Sequence, residues 1–584
     1  MTFYVALAAA NKNVVGKLLN EVANVDHKNY ANYMSPMELR EFSQAPIPLQ
    51  RRVQDYFEGF HSAIACANTN GASLKCTCTD ILALEKLFET TFHTFTHTET
   101  SLTVVRHVGA LSVPTSLKGD VLFVTGLGSF LVFPRRKQHA VGGAVASKAG
   151  ASCAGGTGCY VLPETLRNLY NVSDAQAVGG SASSQGVAEF AGNFNERDAD
   201  LADFGTSVGS KSPLKVDKRG GQPNLPSQPA SIEAELDIQY IAAVGAENTN
   251  WVWNSNGWMY EFSTDLQNAT AAPSVISMSY AWSEAQQCGS VTGAECNKLG
   301  VNASVYVDRV NQEFAKVGLL GITLLSASGD SGCHGRTDEA CLFHKQMFPD
   351  FPASSPFITA VGGTLLNDAT NTGAKAPICQ AGGQLNNQCA TGGTEVVSST
   401  GPAGGRIASG GGFAAYSPRP SYQDAAVAEY LSNPDVIKFA GGNGTLFNNA
   451  GRGYPDIAAL AHKFFIVTGG NPNSVDGTSA AAPSVAGLIG LLNAHRLRKG
   501  RKTVGFINPL LYKIHAETGG AAFNDITEGN NACTEQGCSC KTGFKAVKGW
   551  DASTGLGTLN YGVLLETMDA LDEKRERLVE TGTL

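Results

Sequence analysis

Two acids and a hydroxyl, far apart along the chain, are the side chains in which chemistry is most readily seen. Glu233 and Asp237 stand four apart in Pro229-Ala230-Ser231-Ile232-Glu233-Ala234-Glu235-Leu236-Asp237. Pro229 and Ser231 signal a helix start, and the spacing puts both carboxylates on one helix face. Like charges that close repel unless a proton or partner relieves them, which raises one pKa and makes a group able to trade protons. The same pattern also describes an acidic, solvated face. Ser479 lies in Gly477-Thr478-Ser479-Ala480, between the turn formers Pro472-Asn473-Ser474 and the apolar run Ala481 to Leu492. A serine between a glycine turn and a helix start is held on a bend, its hydroxyl open to a cleft. The helix adds unpaired N–H groups and a positive dipole end, both suited to a developing oxyanion. Read locally, the tetrapeptide is equally an N-cap before a buried helix. Asp330, in Ser326-Ala327-Ser328-Gly329-Asp330-Ser331-Gly332, follows an apolar strand in a glycine-rich bend, either as a functional acid or as a turn aspartate.

Positioning these residues requires an α/β scaffold. From Pro163 onward, helical stretches such as Val305 to Lys316 alternate with short apolar runs such as Val275 to Met278, Ile322 to Ser326 and Phe357 to Val361. That alternation predicts a parallel sheet covered on both faces, with the site at the carboxyl ends of its strands, where Ser279 to Glu284 and Ser326 to Gly332 fall. Ahead of it, residues 3–8 read as a strand and Val14, Val15, Leu18, Leu19 and Val22 repeat at helical spacing. Ser35-Pro36-Met37-Glu38 is a capping box, and Leu49, Val53, Tyr56, Phe57 and Phe60 mark a further helix. Beta-branched runs at Ser101 to His107 and Val121 to Val132 complete a self-contained α+β unit. Pro134-Arg135-Arg136-Lys137 and a Gly/Ala/Ser-rich stretch to Cys159 read as a proteolytically cut linker or an uncut surface loop. The expected order is an α+β unit at 1–137, a linker at 138–160, an α/β domain at 161–570 and a charged tail or terminal helix at 571–584.

Composition narrows the setting. The chain has 584 residues, 43% hydrophobic, too many for one ordinary domain. A net charge of −8 gives no basic footprint and excludes a nucleic-acid surface. The longest apolar stretch, 480–494, is too short and too broken by Pro483 and Ser484 to span a bilayer. Fourteen cysteines fall mostly in close groups without a paired-CxxC zinc pattern, which reads as disulfides of open connectivity in an oxidising compartment. Sequons at Asn171, Asn268, Asn302 and Asn443 fit the same setting. Met1 to Ala10 lack a basic n-region and read as a strand, so no secretory leader is visible in this chain.

Longer motifs then identify the chain as resembling the sedolisin family of serine-carboxyl peptidases. They are Glu233-Ala234-Glu235-Leu236-Asp237-Ile238-Gln239-Tyr240, Ser328-Gly329-Asp330-Ser331-Gly332, Phe351-Pro352-Ala353-Ser354-Ser355-Pro356 with Val361-Gly362-Gly363-Thr364, Ser409-Gly410-Gly411-Gly412-Phe413, Tyr454-Pro455-Asp456 and Gly549-Trp550-Asp551. Phe3 to Leu7, Asn11, Asn29-Tyr30 and Tyr33 to Ser35 are similar to the family's propeptide, and Leu166 to Val172 to the start of its mature domain. The resemblance implies a zymogen: a ferredoxin-like α+β propeptide acting as intramolecular inhibitor, then a subtilisin-like parallel sheet flanked by helices. It implies Ser479 as nucleophile, Glu233 as general base and later acid, Asp237 as the residue orienting Glu233, and Asp330 as the oxyanion donor. Ser279, Tyr280, Ser409, Gly410 and Gly411 would bind substrate backbone. His344, His462 and His495 could each be offered as a triad base, but none of the 11 histidines stands in a subtilisin-type His-Gly-Thr setting. At pH 4 a histidine is neutral in about one molecule in three hundred, whereas a glutamate of pKa about 4.3 is still partly ionised, so a carboxylate base suits acid conditions. Activity is expected to rise toward about pH 4 to 5 and vanish above neutral.

The resemblance also implies calcium, held by the carboxylates of Asp525 and Asp551 and the carbonyls of Ile526, Val547 and Gly549, an all-oxygen set suited to a hard cation. The substrate would be a peptide or unfolded protein, cut three residues from a free N-terminus. The alternatives are an internal cut by an endopeptidase of the same family and, from another class, a catalytically silent relative that only binds. An acidic, oxidising compartment, extracellular or lysosomal, is expected. Three departures stand out: Asp476 ahead of Gly477 puts a fourth carboxylate near the nucleophile, Ala281 replaces a usual glycine beside Tyr280, and Cys333 sits unusually close to Asp330.

Overall fold

The computed structural model describes residues 1–8, 12–96, 103–108, 111–128, 139–140, 160–190, 195–224, 229–287, 302–341, 346–367, 393–401, 404–442 and 446–582. Its larger domain is built on a ten-stranded sheet. From one edge its strands are Phe523–Asn524, Thr558–Leu559, Ile457–Leu460, Thr359–Asn367, Thr323–Ala327, Val275–Met278, Ser184–Phe190, Thr249–Ser255 and Lys218–Gly221, with Thr394–Val397 added antiparallel to Thr359–Asn367. From Thr558–Leu559 to Lys218–Gly221 every pairing is parallel. Val275–Met278, Thr323–Ala327 and Ile457–Leu460 are buried along their whole length. Strands covered on both faces read as continuous apolar runs rather than alternating ones, which is why the sequence marked them.

Helix Thr478–Arg498 packs along this sheet, and its residues from Thr478 to Ala494 are all buried. A helix apolar all round is a core helix, so the run Ala481–Leu492 belongs inside the protein. No described helix is long and apolar enough to cross a membrane.

The N-terminal unit has a four-stranded antiparallel sheet, in the order Ile64–Asn68, Ser73–Cys78, Thr2–Leu7, Val121–Thr125, with helices between strands. That order and connectivity are ferredoxin-like. The capping box at Ser35 forms, with Ser35 and Glu38 each closing on the other's backbone. Alternation along Thr2–Leu7 serves two interiors. Phe3, Val5 and Leu7 enter the unit's own core, while Tyr4 and Ala6 join Phe123 against Tyr260, Tyr306 and Phe314 of the larger domain. The sheet of this unit therefore docks on the helix pair Met259–Gln267 and Ala303–Leu319, while Val15, Leu19 and Val22 of its first helix pack against Ala315, Leu319 and Phe506.

Polar contacts fix that docking. The buried Arg309 guanidinium donates to the Leu7 carbonyl at 2.5 Å, the Ala72 carbonyl at 2.8 Å and Glu313 at 2.7 Å. Glu313 also accepts from Lys316 at 3.0 Å and from Asn70 at 2.9 Å. Burial pushes the Glu313 carboxyl up, but Lys316 and Arg309 outweigh it and hold the group down at about 2. Glu313 therefore keeps its charge at pH 4.

Among the described residues, Cys66–Cys76, Cys341–Cys540 and Cys533–Cys538 are disulfides, and Cys78 and Cys333 are buried thiols. Cys341 thus bridges 199 residues instead of joining its sequence neighbour Cys333. The remaining cysteines and the basic stretch 134–137 lie outside the described residues, as does most of the expected linker. His139–Ala140 of that linker pairs antiparallel with Asn473–Ser474. At the other end, helix Tyr561–Glu580 runs through the boundary expected at 571, with Leu571 and Asp572 buried.

Candidate active site

Ser279 and Asp330 are delivered by neighbouring strands. Val275–Met278 ends one residue before Ser279, Thr323–Ala327 ends three before Asp330, and the two strands pair in parallel. Ser479 comes from the helix packed beneath them. Its hydroxyl donates to the Ser279 carbonyl at 3.3 Å, and the Ser279 hydroxyl donates to the Ser479 carbonyl at 3.4 Å. The second bond has a reason in the sequence: Pro483, four residues on, has no N–H to offer the Ser479 carbonyl, so that acceptor is open to a side chain. The bend ahead of Ser479 differs from the expected glycine turn. Gly477 is extended, at φ 160°, and the chain runs from strand Asn471–Val475 almost directly into the helix.

Asp330 is tied to the same helix start. Its Oδ1 accepts the Thr478 N–H at 2.7 Å and the Thr478 hydroxyl at 2.8 Å, while the Gly329 N–H donates to that hydroxyl at 3.2 Å. The Asp330 backbone is braced by Ala408 and Gly410. Ala408 N–H donates to the Asp330 carbonyl at 2.8 Å and Gly410 N–H to the Gly329 carbonyl at 2.7 Å. A Cβ on Gly410 would lie 2.1 Å from the Ser328 carbonyl oxygen, so only glycine fits that approach. The Ser409 side chain faces inward, accepting from Gly363 N–H at 2.9 Å and donating to the Ser553 carbonyl at 2.7 Å. The Ser409 hydroxyl is thereby committed to Gly363 and Ser553. Arg336 stands 3.7 Å from Asp330 Oδ2 but is drawn toward Glu535, at 3.2 Å.

Glu233 and Asp237 lie on helix Ile232–Val244, capped by Ser231 as the sequence indicated. This helix and the Ser479 helix run side by side in the same direction. Gly487 sits against Ile241, Val244 and Gly245, and Gly490, one turn further on, against Gln185 and Asn248 just beyond the first helix's end. Stepping back equal lengths from that crossing brings Ser479 and the Glu233–Asp237 face to the same end. A Cβ on Gly487 would fall 2.8 Å from the Gly245 nitrogen and 3.0 Å from the Val244 Cβ. Gly487→Val is expected to cost about 1–3 kcal/mol and to splay the two helices. A lower Tm together with a fall in activity under conditions where the variant remains folded is the check.

Tyr280 links the two halves. Its backbone neighbour Ser279 holds Ser479, and its phenol, raised well above the usual range by burial and then by Glu189, Glu233 and Asp237, lies within the field of all three acids. The phenol donates to Glu189 at 2.5 Å. Glu189, at the carboxyl end of strand Ser184–Phe190, escaped the sequence reading because an acid inside a Gln185-Gly186-Val187-Ala188-Glu189-Phe190 run carries no motif of its own. The site is closely shielded: Ser479 is 1% exposed, Asp330 4% and Glu233 6%. Ala281 is buried beside Tyr280.

The histidines go elsewhere. His462 pairs with Asp476, His495 bonds Asp569 at 2.8 Å, and His344 lies outside the described residues. Asp476 therefore does not turn its carboxylate to Ser479, but to His462, the Lys463 N–H at 3.1 Å and Arg406 at 3.5 Å. Burial pushes that carboxyl up, and His462 and Arg406 more than reverse it, leaving it below the ordinary range.

The residues for a cation form a separate group. Gly549 N–H donates to Asp525 Oδ2 at 2.9 Å, joining the two segments that carry the expected ligands. Asp551 is buried and caps its own turn, accepting the Ser553 and Thr554 N–H groups at 2.8 and 2.9 Å. Burial raises both carboxyls, Asp551 to about 8. A carboxylate that burial disfavours in its charged form, as at Asp551, with a second carboxylate at Asp525 on the adjoining segment, fits a hard cation, although His515 and Lys548 also stand near Asp525. Ile526 is buried and Val547 half-buried beside them.

Residues 1–130 match the family described as Pro-kumamolisin, activation domain. The chain is 34% identical to Physarolisin of Physarum polycephalum over 579 residues, covering 98% of this chain and 94% of the relative. It is 33% identical to Tripeptidyl-peptidase 1 of Macaca fascicularis over 497 residues, or 82% and 75% of the two chains. Against Tripeptidyl-peptidase 1 of Canis lupus familiaris it is 31% identical over 582 residues, or 96% and 90%. A solved structure of Pseudomonas sedolisin (serine-carboxyl proteinase), complexed with two molecules of pseudo-iodotyrostatin, covers 71% of this chain and all of its own at 23% identity and a TM-score of 0.52, which speaks for the fold. With an activation domain ahead of a subtilisin-like sheet and full-length relatives of this similarity, the chain belongs to the sedolisin family of serine-carboxyl peptidases.

Proposed function

We propose that this zymogen is an acid-active peptidase in which Ser479 attacks the scissile carbonyl and Glu233 takes its proton. What carries the reading is the Ser279–Tyr280 dipeptide, which holds the Ser479 hydroxyl through one residue and lies in the field of Glu233 and Asp237 through the next. Glu233 then returns the proton to the leaving amine, and water repeats the cycle on the acyl-enzyme. Asp237, one helical turn along, orients Glu233 and shares its charge. Asp330 donates to the oxyanion while protonated. Its Oδ1 already accepts two bonds from Thr478, so the proton belongs on Oδ2. Two nearby N–H groups are engaged within the protein, Thr478 with Asp330 and Ala480 with Gly477, which supports giving that duty to the carboxyl.

The substrate is an unfolded peptide shortened by tripeptides from a free N-terminus, a reading supported by the similarity to Tripeptidyl-peptidase 1 over nearly the whole chain. Comparing hydrolysis of one peptide with free and acetylated N-termini tests it. Cleavage of the free form alone is expected; equal cleavage of both makes it an endopeptidase, and no cleavage of either by acid-treated protein makes it a binding relative. The setting is acidic and oxidising, extracellular or lysosomal. Acid incubation is expected to release a mature chain beginning within residues 138–162. Because Arg309 joins the propeptide to Glu313, Arg309→Ala is expected to raise the pH at which the intact chain processes itself, followed by gel and N-terminal sequencing.

Calcium at Asp525, Asp551 and the Ile526, Val547 and Gly549 carbonyls would neutralise the buried Asp551 carboxylate and the exposed one of Asp525 and hold the carboxyl-terminal loops; it has no part in the proton transfers. Chelation is expected to lower Tm by several degrees, with recovery on adding calcium back, read by calorimetry.

A further inference from the structure

Glu235 stands on the helix that carries Glu233 and Asp237, yet no step above uses it. At 100° per residue it lies on the opposite side of that helix from the catalytic pair. It is fully buried, its Oε1 accepting the Arg197 N–H at 2.7 Å and its Oε2 the Gln239 amide at 2.9 Å. It is also hydrogen-bonded to the carboxyl of Asp200, itself buried. Asp200 accepts the N–H groups of Gly469 and Gly470, at 2.6 and 2.7 Å. Those glycines, at φ 60° and 74°, form the turn between strands Phe464–Thr468 and Asn471–Val475. Gln239 bonds the same hairpin twice at Val467, and the Tyr240 hydroxyl bonds the Phe465 carbonyl. The returning strand ends at Val475, four residues before Ser479.

Two carboxyl groups joined by a hydrogen bond require one proton between them. Among the described residues no basic side chain pairs with either acid. Arg219 is held by Glu196 and by Asp198 at 3.2 Å. Asp198 and Asp203, on the Asp200 helix, are exposed, and Phe464–Val475 contains no titratable side chain. Glu233 and Asp237 face away, and the Ser479 helix carries its basic residues only in its last turn. Nothing here replaces the proton.

We propose that Asp200 and Glu235 are positioning residues for the reaction, a proton-bridged pair that anchors the hairpin leading into Ser479 and loses its hold as the pH rises. Burial first, and then Asp200, pushes Glu235 up to about 9, so the closed hairpin keeps a proton that an opened one gives up near the ordinary carboxyl range. Opening therefore grows with pH at up to about tenfold per unit between those limits. This rests on the role given to Ser479, but its test does not require turnover.

Hydrogen exchange of the hairpin is measured on the acid-processed protein between pH 5 and 8, corrected for base catalysis of exchange, in wild type and Glu235→Gln. Gln needs no shared proton. Opening is expected to rise about tenfold per pH unit in wild type and to be nearly flat in the variant, whose half-life at pH 7, assayed back at pH 4.5, lengthens at least tenfold. Asp200→Asn keeps an acceptor for the glycine turn and is expected to flatten the same slope, whereas Asp200→Ala opens the hairpin at every pH. Equal slopes in wild type and Glu235→Gln overturn the proposal; if that variant does not fold, the Asp200→Asn slope decides. A wild type inactive at every pH but with a steep exchange slope would instead overturn the hydrolase reading alone.

Discussion

Ser479→Ala and Glu233→Gln are each expected to lower kcat/KM at pH 4.5 by about 10⁴-fold or more, because the nucleophile and base proposed here act as a unit and losing either is nearly as costly as losing both. The double variant is expected to be little worse than either single one. Neither should process itself in acid, though both should be cut by added wild-type enzyme. An aligned carboxylate matters here more than charge, so Glu233→Asp, one methylene short, is expected to retain a small fraction of activity. A Ser479→Ala protein retaining a tenth of wild-type activity would place the nucleophile elsewhere. Asp476→Ser provides the contrast: its carboxylate is committed to His462, Arg406 and Lys463, so the expected loss is in stability, with the pH optimum unmoved.

The processed protein is expected to lose stability steeply between pH 4 and pH 7. Glu284 and Asp350 are buried acids whose carboxyls burial pushes up to about 7, Asp350 against Arg336 and with Asp330, Glu535 and Glu339 reinforcing it. The Glu284 carboxylate accepts the Ser354 hydroxyl at 2.6 Å and the Ala415 and Tyr416 N–H groups at 2.8 and 3.1 Å. Asp350 lies against the Asp330 loop, where a Cβ on Gly329 would come within 2.4 Å of its Oδ2. Below about pH 4 both groups are protonated folded or unfolded and contribute no pH dependence. Between about pH 4 and 7 the unfolded chain gives up these protons and the folded one keeps them, so each acid removes roughly 3–4 kcal/mol of stability by pH 7. Against a total margin of about 5–15 kcal/mol the two together are decisive. Calorimetry at pH 4.5 and 7 is expected to give a Tm drop of more than about 10 °C, partly relieved in Glu284→Gln. A Tm that rises toward neutral would show that these acids are not buried as described.

Much of this architecture was legible because its signals are local. Val275–Met278 is a strand as read, the predicted helix at 305–316 forms within Ala303–Leu319, and Ser35 caps its helix through Glu38. The carboxylate pair and the serine could be singled out by spacing and flanking glycine. What escaped depends on partners distant in sequence. Glu189 matters through Tyr280, 91 residues away, and Asp200 through a glycine turn 269 residues away. Gly477 reads as a turn residue because glycine permits one, yet the strand feeding the helix keeps it extended. Disulfide connectivity stays open in the sequence because Cys540, the partner of Cys341, is brought to it only by the fold, from 199 residues away. Strand alternation at Thr2–Leu7 was visible, but not that both faces would be buried, since the second interior belongs to the other domain.

The pH dependence of kcat/KM for acid-processed enzyme on a free-N-terminus peptide tests the central assignment most directly. A carboxylate base and a protonated aspartate as oxyanion donor call for a profile peaking near pH 4 to 5 and falling to nothing above neutral, with Glu233→Gln inactive throughout. A profile rising through pH 7 to a plateau near pH 8, where a neutral imidazole would serve, would contradict it.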